Sequence, residues 1–213
     1  MPDIRTYFFS AALIAGIALT SCSSDKNKGS NTVTINQNPT NAISDRLAQA
    51  GLDKSPMDMA YFPTEYPKLK MANSNLEAPI ARAIFSRPQK GGRRIFGEVV
   101  KYGSTWRMGA NEASELEFFR DVNIKGKTVP KGRYVIYAIP YENEWTIILN
   151  NDLYTWGLKI DSTKDAYKFT IPIAKTNFPF EVFTMEFAPA EDKNNMQLIM
   201  EWDSIRAILP IKY

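Results

Sequence analysis

The sequence contains no histidine and a single cysteine in 213 residues. Without histidine there are no imidazole zinc ligands, no Ser-His-Asp relay and no two-histidine iron triad. One cysteine, Cys22, excludes an intrachain disulfide and CxxC redox chemistry. Charge of one sign is also scarce: 26 Lys and Arg against 23 Asp and Glu leave a net charge of +3, too weak a bias to imply a nucleic-acid partner. No amphipathic helical pattern of helix length occurs between residues 73 and 213, which argues against βαβ units. Walker spacing is absent, and no cofactor is expected.

What is present begins with a leader. Residues 1–21 carry Arg5, an apolar run from Tyr7 to Leu19 and the ending LTS before Cys22. A basic start, a short apolar core and small residues describe a secretion signal, and the run is too short to cross a bilayer comfortably. LTSC resembles the lipobox of bacterial lipoproteins, and by that resemblance Cys22 becomes the lipidated first residue of the mature chain. The leader removes one Asp and one Arg, so the net charge is unchanged. Residues 22–42 are Ser, Asn, Asp, Lys, Thr and Gln with little to bury, and read as a polar tether. Residues 43–72 read as a partly extended segment: SDRLAQAG at 44–51 suits one or two helical turns, and Pro56, Pro63 and Pro67 argue for an extended connection after it.

From about Asn73 the texture changes to period two. YKFTIPI (167–173), EVFTMEF (181–187) and MQLIMEW (196–202) each place apolar residues on one side, with Gln197 and Glu201 opposite Met196, Leu198, Met200 and Trp202. RYVIYAI (133–139) is apolar on both faces and WTIILN (145–150) nearly so, joined by PYENE, which predicts a central hairpin covered on both sides. VNIKGKTVPKG adds a short strand and a turn at Lys125-Gly126-Lys127. The fold expected over residues 73–213 is all-β, an antiparallel sandwich or open barrel of short strands around one core.

Four stretches carry a family resemblance: SRPQKGGRRIFG, YGSTWRMGANEASELEF, GKTVPKGRYVIYAIP and WTIILNNDLYTWG. In that order they resemble the DUF2911 family of secreted or lipid-anchored bacterial domains, from about Ala78 to Ile211. The resemblance implies one compact β domain at the cell envelope and passes on no chemistry.

Three clusters are candidate sites. Arg87, Lys90, Arg93 and Arg94 surround Pro88, Gly91 and Gly92, a loop whose backbone amides and Arg forks suit a carboxylate, sulfate or phosphate. The same loop also reads as a solvated turn paired with neighbouring Asp and Glu, or as a docking point on membrane or cell-surface polymer. In the second cluster Gly109 and Asn111 tolerate a left-handed corner. There Arg107 and Glu112 form either a structural pair pinning the corner or, with Asn111, a pocket for carboxylates or sugar hydroxyls walled by Trp106 or Trp156. In the third, Asn150, Asn151 and Asp152 offer oxygens, but three neighbouring residues fall far short of an EF-hand, and the run reads as a polar turn. Glu115 and Glu117 share a strand face and read as solvated rather than as a glycosidase pair.

The expected function is non-catalytic binding or assembly at the envelope. The partners are a membrane through the lipid, a small anionic or carbohydrate ligand, or an envelope protein. A carbohydrate hydrolase or lyase using Glu112 and Arg107 is the alternative.

Overall fold

The computed structural model describes residues 53–213. The leader, Cys22 and the helical turns read at 44–51 lie outside the described residues. No helix among the described residues is long and apolar enough to cross a membrane.

Nine strands form one antiparallel sheet: β1 (Met57–Phe62), β2 (Ala81–Ser86), β3 (Glu115–Phe118), β4 (Val122–Ile124), β5 (Lys127–Val129), β6 (Gly132–Pro140), β7 (Glu144–Asn150), β8 (Asp165–Pro189) and β9 (Asn195–Lys212). Their order across the sheet is β1-β2-β3-β6-β7-β8-β9-β4-β5, open rather than closed into a barrel. The all-β expectation therefore holds. The one α-helix among the described residues, α1 (Tyr66–Ala72), has proline in its first turn, where the missing N–H costs nothing.

Two expectations need correction. Residues 57–62, read as part of an extended connection ahead of the domain, are an edge strand paired with β2 along its whole length. Six residues with Phe62 buried against the core are enough to seat it. The pieces 167–173 and 181–187, read as separate strands, lie on one 25-residue strand, β8. Its register shifts between Lys175 and Phe180 and again between Phe180 and Thr184. Asn177-Phe178-Pro179 lies in that irregular stretch, where a residue without an N–H is tolerated. The first part of β8 pairs with β7 and the second with β9, so the strand turns a corner between two layers.

That corner folds the sheet over itself. Phe183 N donates to Pro88 O at 3.0 Å and Lys90 N to Glu181 O at 2.6 Å, which joins the chain after β2 to the second half of β8. Phe85 and Phe183 meet edge to face across the core, 5.9 Å between centroids. Period two is obeyed on both strands, with Phe183, Met185 and Phe187 buried from β8 and Met196, Leu198, Met200 and Trp202 from β9. Glu201 is on the opposite face but is buried too, ion-paired with Arg206.

The β6–β7 hairpin is covered on both sides, as its sequence predicts. Tyr134, Ile136, Ala138, Trp145, Ile147 and Leu149 face the main core. Val135, Tyr137 and Ile148 form a smaller cluster on the other face with Ala113, Leu153 and Ile160. The segment after β7 is tied down by a buried polar knot. Asp165 accepts from Tyr137 Oη (2.6 Å) and Asn150 Nδ2 (2.8 Å), and Asn150 Oδ1 accepts from Asp152 N. Burial alone pushes the Asp165 carboxyl up, but hydrogen bonds from Tyr137, Asn150 and Lys168 outweigh it and hold the group below its ordinary value. Asn150 thus spends its side chain on structure, and among the described residues no group of three or more acidic, Cys or His side chains is placed to hold a metal ion.

Glu115 and Glu117 lie on one face of β3, and both are ion-paired, Glu117 with Arg82 and Glu115 with Arg133. Their like charges are separated by alternating cations from the flanking strands rather than solvated alone.

Candidate functional site

The basic loop leaves β2 at Ser86 and turns on Gly91 and Gly92, whose φ values of 56° and 73° are left-handed. Most of its anion-binding capacity is used internally. Arg87 Nη1 pairs with Asp58 Oδ2 at 3.0 Å and Lys90 Nζ with Asp203 Oδ1 at 3.1 Å. Gly91 N donates to Glu181 Oε1 at 2.7 Å, and Ile95 N to Asp203 Oδ2 at 3.1 Å. Arg93 donates from Nε to Lys90 O (2.9 Å) and from Nη2 to Gln89 O (2.6 Å). Two carboxylates of the protein, Glu181 and Asp203, therefore sit where a bound anion would. Arg94 is exposed beside Phe96 and Tyr102 and forms no ion pair among the described residues.

The 106–114 corner begins and ends on β6. Trp106 exchanges both backbone hydrogen bonds with Ala138, at 2.8 and 2.9 Å, and Ser114 O accepts from Ile136 N at 2.8 Å. Between these anchors the chain leaves the sheet edge through two left-handed residues, Met108 (φ 55°) and Asn111 (φ 61°). Buried serines pin the excursion. Ser86 Oγ donates to Ala110 O and accepts from Ala110 N, while Ser114 Oγ donates to Met108 O. A Cβ on Gly109 would lie 2.7 Å from Ser86 Oγ, so only glycine lets this corner close.

Trp106 is 5% exposed and points into the core, where its ring meets Phe96, Trp145, Phe183 and Trp202 with centroids 5.1–5.9 Å apart. Asn111 does not face a pocket. Its Oδ1 accepts from Asp53 N at 3.0 Å and its Nδ2 donates to Asp53 O at 2.6 Å, clamping the chain ahead of β1. Glu112 is exposed and bridges Trp156 through the backbone, while Gly157 N donates to Asn111 O at 3.0 Å. A Cβ on Gly157 would lie 2.7 Å from that carbonyl and would also strike the Arg107 stem. No Arg107–Glu112 ion pair forms; the charge that acts on Arg107 is Asp53. Burial lowers the Arg107 guanidinium from its ordinary value and Asp53 opposes the shift, leaving a cation at neutral pH.

Arg107 lies in a cleft of about 370 Å³. Arg93 and Lys101 are on its lining, Asp53 is its only acid, and Trp106, Trp202 and Leu158 supply apolar wall. Two buried donors on lining residues have no protein partner: Nε of Arg107 and Nε1 of Trp202. Trp202 itself is only 3% exposed. Orphan buried donors are uncommon, and two on one cleft single it out.

Of the residues singled out in the sequence, Arg93, Trp106 and Arg107 come together here. Arg87 lies in an adjoining recess, Lys90 and Arg94 line a separate opening, and Asn111, Glu112 and Trp156 line none of these three. The second aromatic wall is Trp202, which the sequence shows only as the last inward residue of an alternating strand. With a single carboxylate on its lining, the cleft does not assemble the acid pair of a glycosidase.

No curated protein and no solved structure matches the chain. A family model described as a protein of unknown function, DUF2911, matches residues 68–211, from α1 to the end of β9, and the chain belongs to that family.

Proposed function

We propose that this domain is a non-catalytic binding module whose Arg107 cleft takes a small ligand joining a carboxylate to a flat apolar or sugar body. The observation that carries the reading is the pair of buried, unpartnered N–H donors, Arg107 Nε and Trp202 Nε1, on one cleft. A carboxylate accepts from both kinds of donor, and the edges of Trp106 and Trp202 with Leu158 give a ring apolar wall. Because Trp106 and Trp202 line the cleft, intrinsic fluorescence reports occupancy. Titration of the full chain with glucuronate and with benzoate is expected to change that fluorescence, whereas glucose leaves it unaltered. Arg107→Met, which keeps a stem to pack near Gly157, is expected to weaken acid binding by roughly tenfold to a hundredfold, the scale of a charged hydrogen bond. Acids that leave the signal flat, or that bind the Arg107→Met protein as tightly, would sink this reading.

The site of action belongs to the same proposal: the cell envelope, with the chain held by lipid on Cys22. The leader and the LTSC ending support it. A clickable fatty acid fed to expressing cells is expected to label the wild-type chain and to leave Cys22→Ser unlabelled. Equal labelling of the two would remove the anchor.

A further inference from the structure

A second cleft, of about 650 Å³, lies on the opposite side of β1 and β2 from the core, between those strands and α1. Phe62, Ala81 and Ala83 point inward, so Tyr61 and Arg82 point out. Tyr66 of α1 folds back over this face, its ring 5.4 Å from that of Tyr61 at an angle of 31°. Pro79 and Phe119 complete the flat surfaces.

The charge in this cleft has one sign. Lys70 and Arg82 line it and no Asp or Glu does. Each cation lies beside a ring, Lys70 Nζ 5.8 Å from the centroid of Tyr66 and Arg82 Cζ 6.0 Å from that of Phe119. One arm of Arg82 is taken by Glu117, but its Nε is buried with no partner in the protein. Desolvation of that guanidinium is opposed by Glu117, whose effect prevails and holds the group above its ordinary value, so the cation persists at any physiological pH.

Flat aromatic faces beside fixed positive charge match a ligand with the same two elements in the same order, a ring with a carbon–hydrogen face and an acid attached to it. The room exceeds what one sugar ring fills and lies within the range of small-ligand sites. We infer that this cleft binds a short acidic oligosaccharide, its rings lying against Tyr61 and Phe119 and its carboxylates meeting Lys70 and Arg82. The inference is independent of the Arg107 cleft, with which it shares no lining residue.

Calorimetric titration of the full-length Arg107→Met chain, in which the other cleft is weakened for acids, with trigalacturonate, maltotriose and triglutamate tests it. Trigalacturonate is expected to bind at least tenfold more tightly than the other two. Lys70→Glu, an exposed change on α1, is expected to weaken that binding at least tenfold with the circular dichroism spectrum unchanged, and Arg82→Gln to weaken it similarly. No tryptophan lines this cleft, so in that background tryptophan fluorescence, excited beyond the tyrosine band, stays constant during the titration. A fluorescence change would move the sugar to the Arg107 cleft and overturn the assignment. So would absence of binding heat, equal affinity for maltotriose, or an affinity unchanged when Lys70→Glu is added. Equal or tighter binding of triglutamate would make this a site for acidic peptide, which also overturns it.

Discussion

Trp106→Ala is expected to lower the unfolding free energy by about 4 kcal/mol, at the large end for a single core truncation. The side chain is the hub of an aromatic group: Phe96, Trp145, Phe183 and Trp202 all touch it, and it stacks on Trp202 at 19°. Those partners come from the loop after β2 and from β7, β8 and β9, so one residue ties together the two layers that the bent β8 creates. Alanine would leave a cavity that the flanking backbone has little freedom to close, because Trp106 is fixed to Ala138 by two hydrogen bonds. In a thermal melt the loss corresponds to roughly 8–16 °C for a domain of this size. Trp106→Phe, which keeps a ring in contact with Phe183 and Trp202, should lose distinctly less. A melting temperature within about 2 °C of wild type for Trp106→Ala, under 1 kcal/mol on the same scale, would mean that the layers are held elsewhere.

The position of Trp106 in the molecule is only half legible in the sequence. In the sequence it stands beside Arg107 within a polar stretch, with no alternation to assign it a side, and the wall of a pocket was one of its readings. The structure makes it mostly core with an edge on a cleft. Where period two runs for several residues, as in 181–187 and 196–202, the inward face was legible because one side of each strand must leave water. The both-faces-apolar hairpin was legible for the same reason, since only a doubly covered strand pair tolerates such a run.

What was not legible depends on contacts distant in sequence. Residue 112 looked like the counter-charge of Arg107 because it is near in the chain. The charge that acts is Asp53, delivered by a segment that Asn111 clamps from 58 residues away. The basic loop shows the same limit. Its composition allows an anion site or a turn paired with neighbouring Asp and Glu, and Glu181 and Asp203, which fill it, arrive on β8 and β9. Nothing in the loop's own residues chooses between the two or says which strands pass beside it. Likewise the 175–180 interruption looked like a connection between two strands, because local pattern cannot distinguish a turn from a bulged bend in one long strand.

Ser86→Ala tests whether the corner that carries Arg107 is locked by its buried hydroxyl, and it is expected to cost about 3 kcal/mol, the scale of leaving two backbone groups buried and unpaired. Ser86 is 2% exposed and satisfies both the N–H and the C=O of Ala110, itself 2% exposed. Ser114→Ala is the internal comparison. It frees one carbonyl, that of Met108, and should cost about 1 kcal/mol. The left-handed Met108 needs such restraint, because a side-chain-bearing residue holds that conformation only when its surroundings fix it. Arg107 precedes Met108 directly, so loosening the corner also disperses the guanidinium in the cleft. Glucuronate affinity, read by tryptophan fluorescence, should therefore fall in Ser86→Ala by more than in Ser114→Ala. If Ser86→Ala unfolds at the wild-type denaturant concentration, the hydroxyl is not the lock. If stability falls while affinity holds, the corner specifies the fold alone, and Arg107 keeps its position through its packing on Gly157.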